Sequence, residues 1–285
     1  MSTAFALWAG ASHQFLCRTI GALLRMAPLG QRAKEEEAFM SRESAADPSY
    51  WVLTKEPRYA LVMVLPIVAI YQAGVVILTR LSEETSDVRN LADLFLRWVL
   101  NRFGLGGHVA SGVLVIAVLV GWQLLRGRGW RIRLRPVAGM FLESLFYALM
   151  LLLSYRVVMV PLRQALLAAG QEGEGPAQQL ILGLGAGVYE EFLFRLLLIG
   201  SLRYLLRLAK AGRISSAVVA SVVAAVAFSM FHLVAEDFRP FVFMFRAFVG
   251  LVFAAFFFLR GFGITTATHS LFNAILVLLT RFGPP

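Results

Sequence analysis

The 285-residue chain has one cysteine, four histidines and little charge, with 15% of its residues being Asp, Glu, Lys or Arg. Soluble domains carry about 25%. The lone Cys17 excludes an intramolecular disulfide, and no Cys/His spacing of the structural-zinc type occurs. There is no H-E-x-x-H pair, and no serine sits in a G-x-S-x-G elbow. Long internal repeats and heptad arrays are absent. No basic residue precedes the short apolar stretch at residues 5–9, so a cleavable signal is not expected.

What is present is hydrocarbon. The chain is 59% apolar with mean hydropathy +0.72, against about 45–50% apolar in soluble domains. Apolar segments fall at 59–79, 108–125, 137–159, 178–201, 215–235, 241–259 and 262–280, each near the ~20 residues that cross ~30 Å of lipid. The pattern predicts an all-α polytopic membrane protein with about seven transmembrane helices (seven to eight). Residues 82–104 place Leu91, Leu94, Leu96, Val99 and Leu100 among acids and arginines, which suits an amphipathic surface helix. Residues 1–57 form an N-terminal region: Leu16, Ile20, Leu23 and Leu24 recur at the spacing of a surface helix, and 31–57 is a polar linker. The helical membrane domain is expected over 58–285.

Twenty-seven Lys and Arg against 17 Asp and Glu give a net charge of +10. In a soluble protein this would suggest nucleic acid as partner. Here the cations cluster in short loops, at Arg126, Arg128, Arg131, Arg133 and Arg135 and again at Arg203, Arg207, Lys210 and Arg213. They fix topology and meet the lipid bilayer rather than nucleic acid. Both loops are expected in the cytoplasm, the N-terminus inside and the C-terminus outside.

Three polar clusters interrupt the hydrocarbon: Glu190, Glu191 and Arg195, then His232, then His269 with Asn273. A charge at the bilayer centre costs about 2.5–3.5 kcal/mol on the mildest scale, so such residues mark chemistry, a pathway or a salt bridge. Gly183 and Gly187 lie seven and three residues before Glu190, on one helix face, and let a neighbouring helix approach it. Glu191 points about 100° away and has Arg195 four residues on, where the two can pair. Glu190 thus faces a shared cavity while Glu191 is held by Arg195; an interhelical salt bridge of both acids with Arg195 is the purely structural alternative. The two histidines and Asn273 add proton carriers and an oxyanion donor, the set needed to hydrolyse a carbonyl.

Two mechanisms fit these groups. In one, Glu190 takes a proton from water with His232 assisting, while His269 and Asn273 hold the oxyanion. In the other, Glu190, His232 and His269 bind a divalent metal such as zinc and leave one position open for water. Asparagine is a poor zinc ligand and a good oxyanion donor, which favours the version without a metal. Ser229 and Ser270 are read as packing residues, Glu143 and Arg246 as paired, snorkelling or cavity-lining charges, and Arg156 as snorkelling. The phenylalanine-rich run at 241–258 is read as lipid-facing and packing surface.

The three clusters resemble the CPBP family of CAAX proteases and bacteriocin-processing membrane proteins, also called Abi proteins. That family carries E-E-x-x-x-R, F-x-x-x-H and H-x-x-x-N/D on successive helices, matched here by Glu190-Glu191-Phe192-Leu193-Phe194-Arg195, by Phe228 with His232, and by His269 with Asn273. The resemblance covers 137–280. It implies an intramembrane endopeptidase acting on a membrane protein or peptide, with Glu190 activating water, His232 assisting, and His269 and Asn273 holding the oxyanion. Members are linked to prenyl-CAAX processing, bacteriocin maturation or immunity, and regulated proteolysis. The short loops suit a bacterial inner (cytoplasmic) membrane protein, for which a prenylated substrate is not expected. Two other classes compete: a non-catalytic immunity or scaffold protein using the same polar core, and a proton-coupled transporter. The transporter reading lacks a continuous polar path and an internal repeat. Oligomeric state is not readable.

Overall fold

The computed structural model describes residues 49–81, 88–159, 175–234 and 236–282. Apart from Ser49 these lie in the second of two units into which the chain divides, Met1–Ser49 and Tyr50–Pro285. The surface helix expected around residues 16–24 and the acidic stretch at 172–174 fall outside the described residues, as does the side chain of Arg156.

Every regular element among the described residues is helical: α1 (Tyr50–Leu53), α2 (Pro57–Leu81), α3 (Leu91–Arg102), α4 (Ala110–Arg126), α5 (Leu134–Met159) and α6 (Pro176–Glu191). A wide π-helical segment, Phe192–Ile199, carries α6 into α7 (Gly200–Leu208). Then come α8 (Arg213–Phe231), which ends in a 3-10 turn at His232–Val234, α9 (Pro240–Arg260) and α10 (Phe262–Phe282). The protein is an all-α polytopic membrane protein. Among the described residues five helices are long and apolar enough to cross a bilayer: Pro57–Leu81, Leu134–Tyr155, Arg213–Val234, Pro240–Arg260 and Phe262–Thr280. The other two of the seven expected segments differ for physical reasons. Ala110–Arg126 is apolar but shorter, and the continuous helix through 176–208 carries Glu190, Glu191 and Arg195 at its middle.

Local chemistry sets the ends of these elements. Asn90 caps α3 by accepting a 2.8 Å hydrogen bond from the Ala92 N–H. Pro176 and Pro240 occupy first turns, where a missing N–H costs nothing. Gly261 alone joins α9 to α10, with φ +88° and an ideal Cβ position only 2.8 Å from the Thr54 carbonyl, so a side chain there would be both strained and blocked.

Helix α3 has the amphipathic character its sequence predicts. Leu96 and Leu100 are buried while Leu94, Phe95 and Trp98 stay exposed. Its buried Asp93 ties it to the bundle, accepting from Tyr71 Oη and Arg89 Nη1 at 2.8 Å each.

Intramembrane charge is paired across the fold. Glu143 of α5 forms a bidentate ion pair with Arg260 at the end of α9 and also accepts from Tyr50 and Tyr147 at 2.7 and 2.9 Å. Burial, and secondly the neighbouring Glu143 carboxylate, push the Tyr50 phenol well up, so it stays a donor. The Arg260 guanidinium lies 3.7 Å over the Trp51 ring, and these contacts pack α1 into the helical core.

The two basic loops gather at this same end. Arg128 pairs with Glu56, Arg58 donates to the Gly129 carbonyl at 2.6 Å, and Arg203 stacks 5.3 Å over Phe258 near the end of α9. The α8–α9 turn lies at the opposite end of α8.

Candidate active site

The glycine face of α6 selects its neighbour. An ideal Cβ on Gly187 would stand 2.2 Å from Ser270 Oγ and 2.5 Å from the Ser270 backbone nitrogen, and one on Gly183 would stand 3.1 Å from Asn273 Cβ. The bare backbone therefore lets α10 lie directly against α6, as small-residue faces do in membranes. This contact brings α10's polar face, His269, Ser270 and Asn273, alongside the carboxylates that follow the glycines. Ser270 Oγ donates to the Leu184 carbonyl at 3.2 Å and Ser229 Oγ to Phe243 at 2.7 Å, packing roles as expected.

The two acids take different environments. Glu191 is fully buried and ion-paired with Arg195, Oε2 to Nε 3.1 Å. Its Oε1 lies 2.8 Å from His269 Nδ1. Glu190 meets no cation directly; instead its Oε1 lies 3.9 Å from His232 Nε2 and its Oε2 lies 3.9 Å from His269 Nε2.

Each imidazole has its Nδ1 committed. His232 Nδ1 is 2.9 Å from the Phe228 carbonyl, which can only accept, so Nδ1 carries the proton. His269 Nδ1 faces a carboxylate already paired with Arg195, so it too is the donor. In both rings Nε2 is therefore the nitrogen left to face Glu190. A direct hydrogen bond does not span 3.9 Å, but one water oxygen bridges such a gap with two bonds of about 2.8 Å.

His232 is the most open member, its side chain 20% exposed against 7% for Glu190 and 8% for His269. The cluster is thus approached from the end of α8. Glu236 stands at that rim; its N–H bonds the His232 carbonyl at 3.1 Å and its carboxylate pairs with Arg246 at 2.8 Å. His232 ends α8 while Glu190 and His269 lie well inside their own helices. The three meet because α8 stops at the level of the acids.

Asn273 stands one turn beyond His269, and its Nδ2 donates to the Gly183 carbonyl at 3.0 Å. The amide is therefore held against α6 two turns before Glu190, with one hydrogen left to donate. The structure gathers Glu190, Glu191, Arg195, His232 and His269 tightly, with Asn273 at their edge.

Other residues of the site carry no sequence signal of their own. Phe253, inside the phenylalanine-rich run, is 1% exposed, and its ring stacks on His269 at 4.6 Å between centroids and 24° between planes. Phe241 and Phe248 of the same run are exposed and suit its lipid-facing part, whereas Phe253 belongs to its packing part. The π segment begins directly after Glu191. A regular helical wheel cannot show such a widened turn, which occurs often at functional sites.

A divalent metal was the alternative reading of these residues. The donors suit zinc by type, and a fixed Nδ1–H on each imidazole is the usual second contact of a metal-binding histidine. Among the described residues no group of three or more His, Cys, Asp or Glu side chains is gathered so as to hold a metal ion.

Residues 173–275 match the family model described as Rce1-like, type II CAAX prenyl endopeptidase. No curated protein matches the chain, and no solved structure does. The matched stretch spans α6, the π segment, α7, α8, α9 and most of α10, and it contains all three polar motifs. This site-bearing segment of an integral membrane protein is thus similar to the Rce1-like CAAX endopeptidases, a likeness that supports the CPBP and CAAX protease family.

Proposed function

We propose that the protein hydrolyses a peptide bond of a membrane-associated substrate with a water molecule activated by Glu190. The observation that carries this reading is the placement of the Glu190 carboxylate between two imidazole Nε2 atoms at 3.9 Å each, with both Nδ1 atoms committed elsewhere. Water between Glu190 and His232 gives its proton to the carboxylate, and the hydroxide oxygen bonds the scissile carbonyl carbon. The carbonyl electrons move onto oxygen. That oxyanion is met by the second amide hydrogen of Asn273, and by His269 when Glu190 relays the water's proton to its Nε2. Glu191 on Nδ1 stabilises the imidazolium so formed, as an aspartate does behind a catalytic histidine. The same proton, returned through Glu190, passes to the departing nitrogen as the C–N bond breaks, leaving a carboxylic acid and an amine. No step is routed through a metal.

The gathering of basic loops at the end remote from the α8–α9 turn supports an orientation with that end in the cytoplasm. A bacterial cytoplasmic membrane suits the short loops. The substrate is tested with a fluorogenic C-a-a-X peptide in farnesylated and unmodified forms. Glu190→Gln is expected to abolish cleavage of whichever form the wild type cuts, while thermal stability in detergent is retained. Full cleavage by the folded variant would overturn the assignment of Glu190.

A further inference from the structure

We propose that Phe253 is a positioning residue for hydrolysis, setting the ring plane of His269 so that Nε2 faces Glu190, a role that rests on the peptidase reading above. The two side-chain torsions of His269 leave its ring more freedom than one hydrogen bond through Nδ1 removes. Glu191, bonded at 2.8 Å, therefore cannot by itself aim Nε2. A flat partner against the ring face can, and Phe253 provides it at 4.6 Å and 24°.

Phe253 is in turn held in place. The Arg195 guanidinium lies 5.5 Å over its ring and 4.9 Å over that of Phe228, within the range of cation–π attraction. Arg195 Nη2 is 3.4 Å from the carbonyl of Gly250, one turn before Phe253 on α9. Gly250 permits this arrangement, because an ideal Cβ there would stand 3.1 Å from Ala225 Cα and 3.5 Å from Phe228 Cδ1. The close α8–α9 approach brings both rings to one cation.

Each ring serves one histidine. Phe228 offers its carbonyl to His232 Nδ1 and its ring to the His232 ring at 4.9 Å and 74°. Phe253 offers its face to His269. Arg195 therefore acts on His269 by two routes, Glu191 and Phe253, and reaches His232 through Phe228. Removing the Phe253 face would leave Glu190, Glu191, Arg195 and both imidazoles chemically intact while freeing one ring to turn.

The test uses the full-length protein in detergent micelles, the farnesylated and unmodified C-a-a-X peptides, and histidine-only 15N labelling. Long-range proton–nitrogen correlations report the protonated ring nitrogen, and His269→Gln identifies the His269 signal among the four histidines. Phe253→Leu is expected to lower kcat about ten- to a hundredfold with KM changed less than about threefold, the size of effect that loss of orientation produces. Its His269 ring signals should broaden or shift as the ring samples more than one orientation. Phe253→Tyr, which keeps the ring face, should stay within about threefold of wild-type kcat and keep the wild-type signal. If the wild type cleaves and a folded Phe253→Leu protein matches its kcat, the inference is overturned while the peptidase reading stands. If the wild type cleaves neither peptide, the peptidase reading loses its support, and the His269 signal decides alone: the same ring shifts and line widths in wild type and Phe253→Leu overturn the inference. Should Phe253→Leu not fold, Phe253→Met is read by the same two measurements.

Discussion

His269 Nδ1 lies 2.8 Å from Glu191 Oε1, on a carboxylate whose other oxygen is 3.1 Å from Arg195. The second acid of the pair is thus a strut between a cation and an imidazole, and only Glu190 is left facing both Nε2 atoms. Adjacent residues of the same type divide the work because successive helical positions differ by about 100°.

This division predicts opposite signatures for the two neutral variants. Glu191→Gln leaves Arg195, which is 1% exposed, without its counter-charge. Breaking a buried pair in this way costs about 3–5 kcal/mol. Glu191→Gln should therefore lower the melting temperature in detergent clearly more than Glu190→Gln does. Equal or reversed shifts would contradict the strut role.

Gly187 is where α6 and α10 come closest. An added Cβ meets Ser270 backbone atoms at 2.5 and 2.7 Å, which cannot swing aside as a flexible side-chain tip can. Gly187→Ala should destabilise by about 1–3 kcal/mol, and activity should fall further because His269 moves with α10. Gly200→Ala is the control. It lies in a helix with nothing within 4 Å of the added carbon, and it should be neutral or stabilising by up to about 1 kcal/mol. Melting curves and cleavage assays on both variants check the pair.

Glu143 and Arg260 stand 117 residues apart and join α5 to the α9–α10 turn. Glu143→Gln strands a guanidinium that is 3% exposed, so a loss of about 3–5 kcal/mol is expected. The double variant Glu143→Leu with Arg260→Met removes both charges and should recover most of that loss. A double variant no more stable than Glu143→Gln alone would show that the pair's charge is not what matters.

Chelation separates the two water-activation chemistries. With Glu190 acting on water unaided, 1,10-phenanthroline leaves cleavage by the purified protein unchanged. Inhibition that added zinc reverses would instead assign Glu190, His232 and His269 to a metal.

Much of the site is legible in the chain because its contacts are local. The Glu191–Arg195 pair is an i,i+4 relation, the Phe228–His232 contact is another, and the glycine face follows from helical spacing. The roles of Asn273 and Phe253 are not legible in this way. Asn273 carries its amide to Gly183, 90 residues away, and Phe253 is set apart from the exposed Phe241 and Phe248 by partners on other helices, His269 and Arg195.

The sequence alone determined that this chain is helical and membrane-embedded, since uncharged runs of this length can satisfy their backbone in lipid only as helices. It also determined which few polar residues had to answer for their cost in hydrocarbon. Only the tertiary structure decided which of them meet. Periodicity places a side chain on a face but does not name the helix opposite. That choice rests on backbone approach at Gly187 and Gly250, on α8 ending level with Glu190, and on a single buried cation held between two phenylalanine rings.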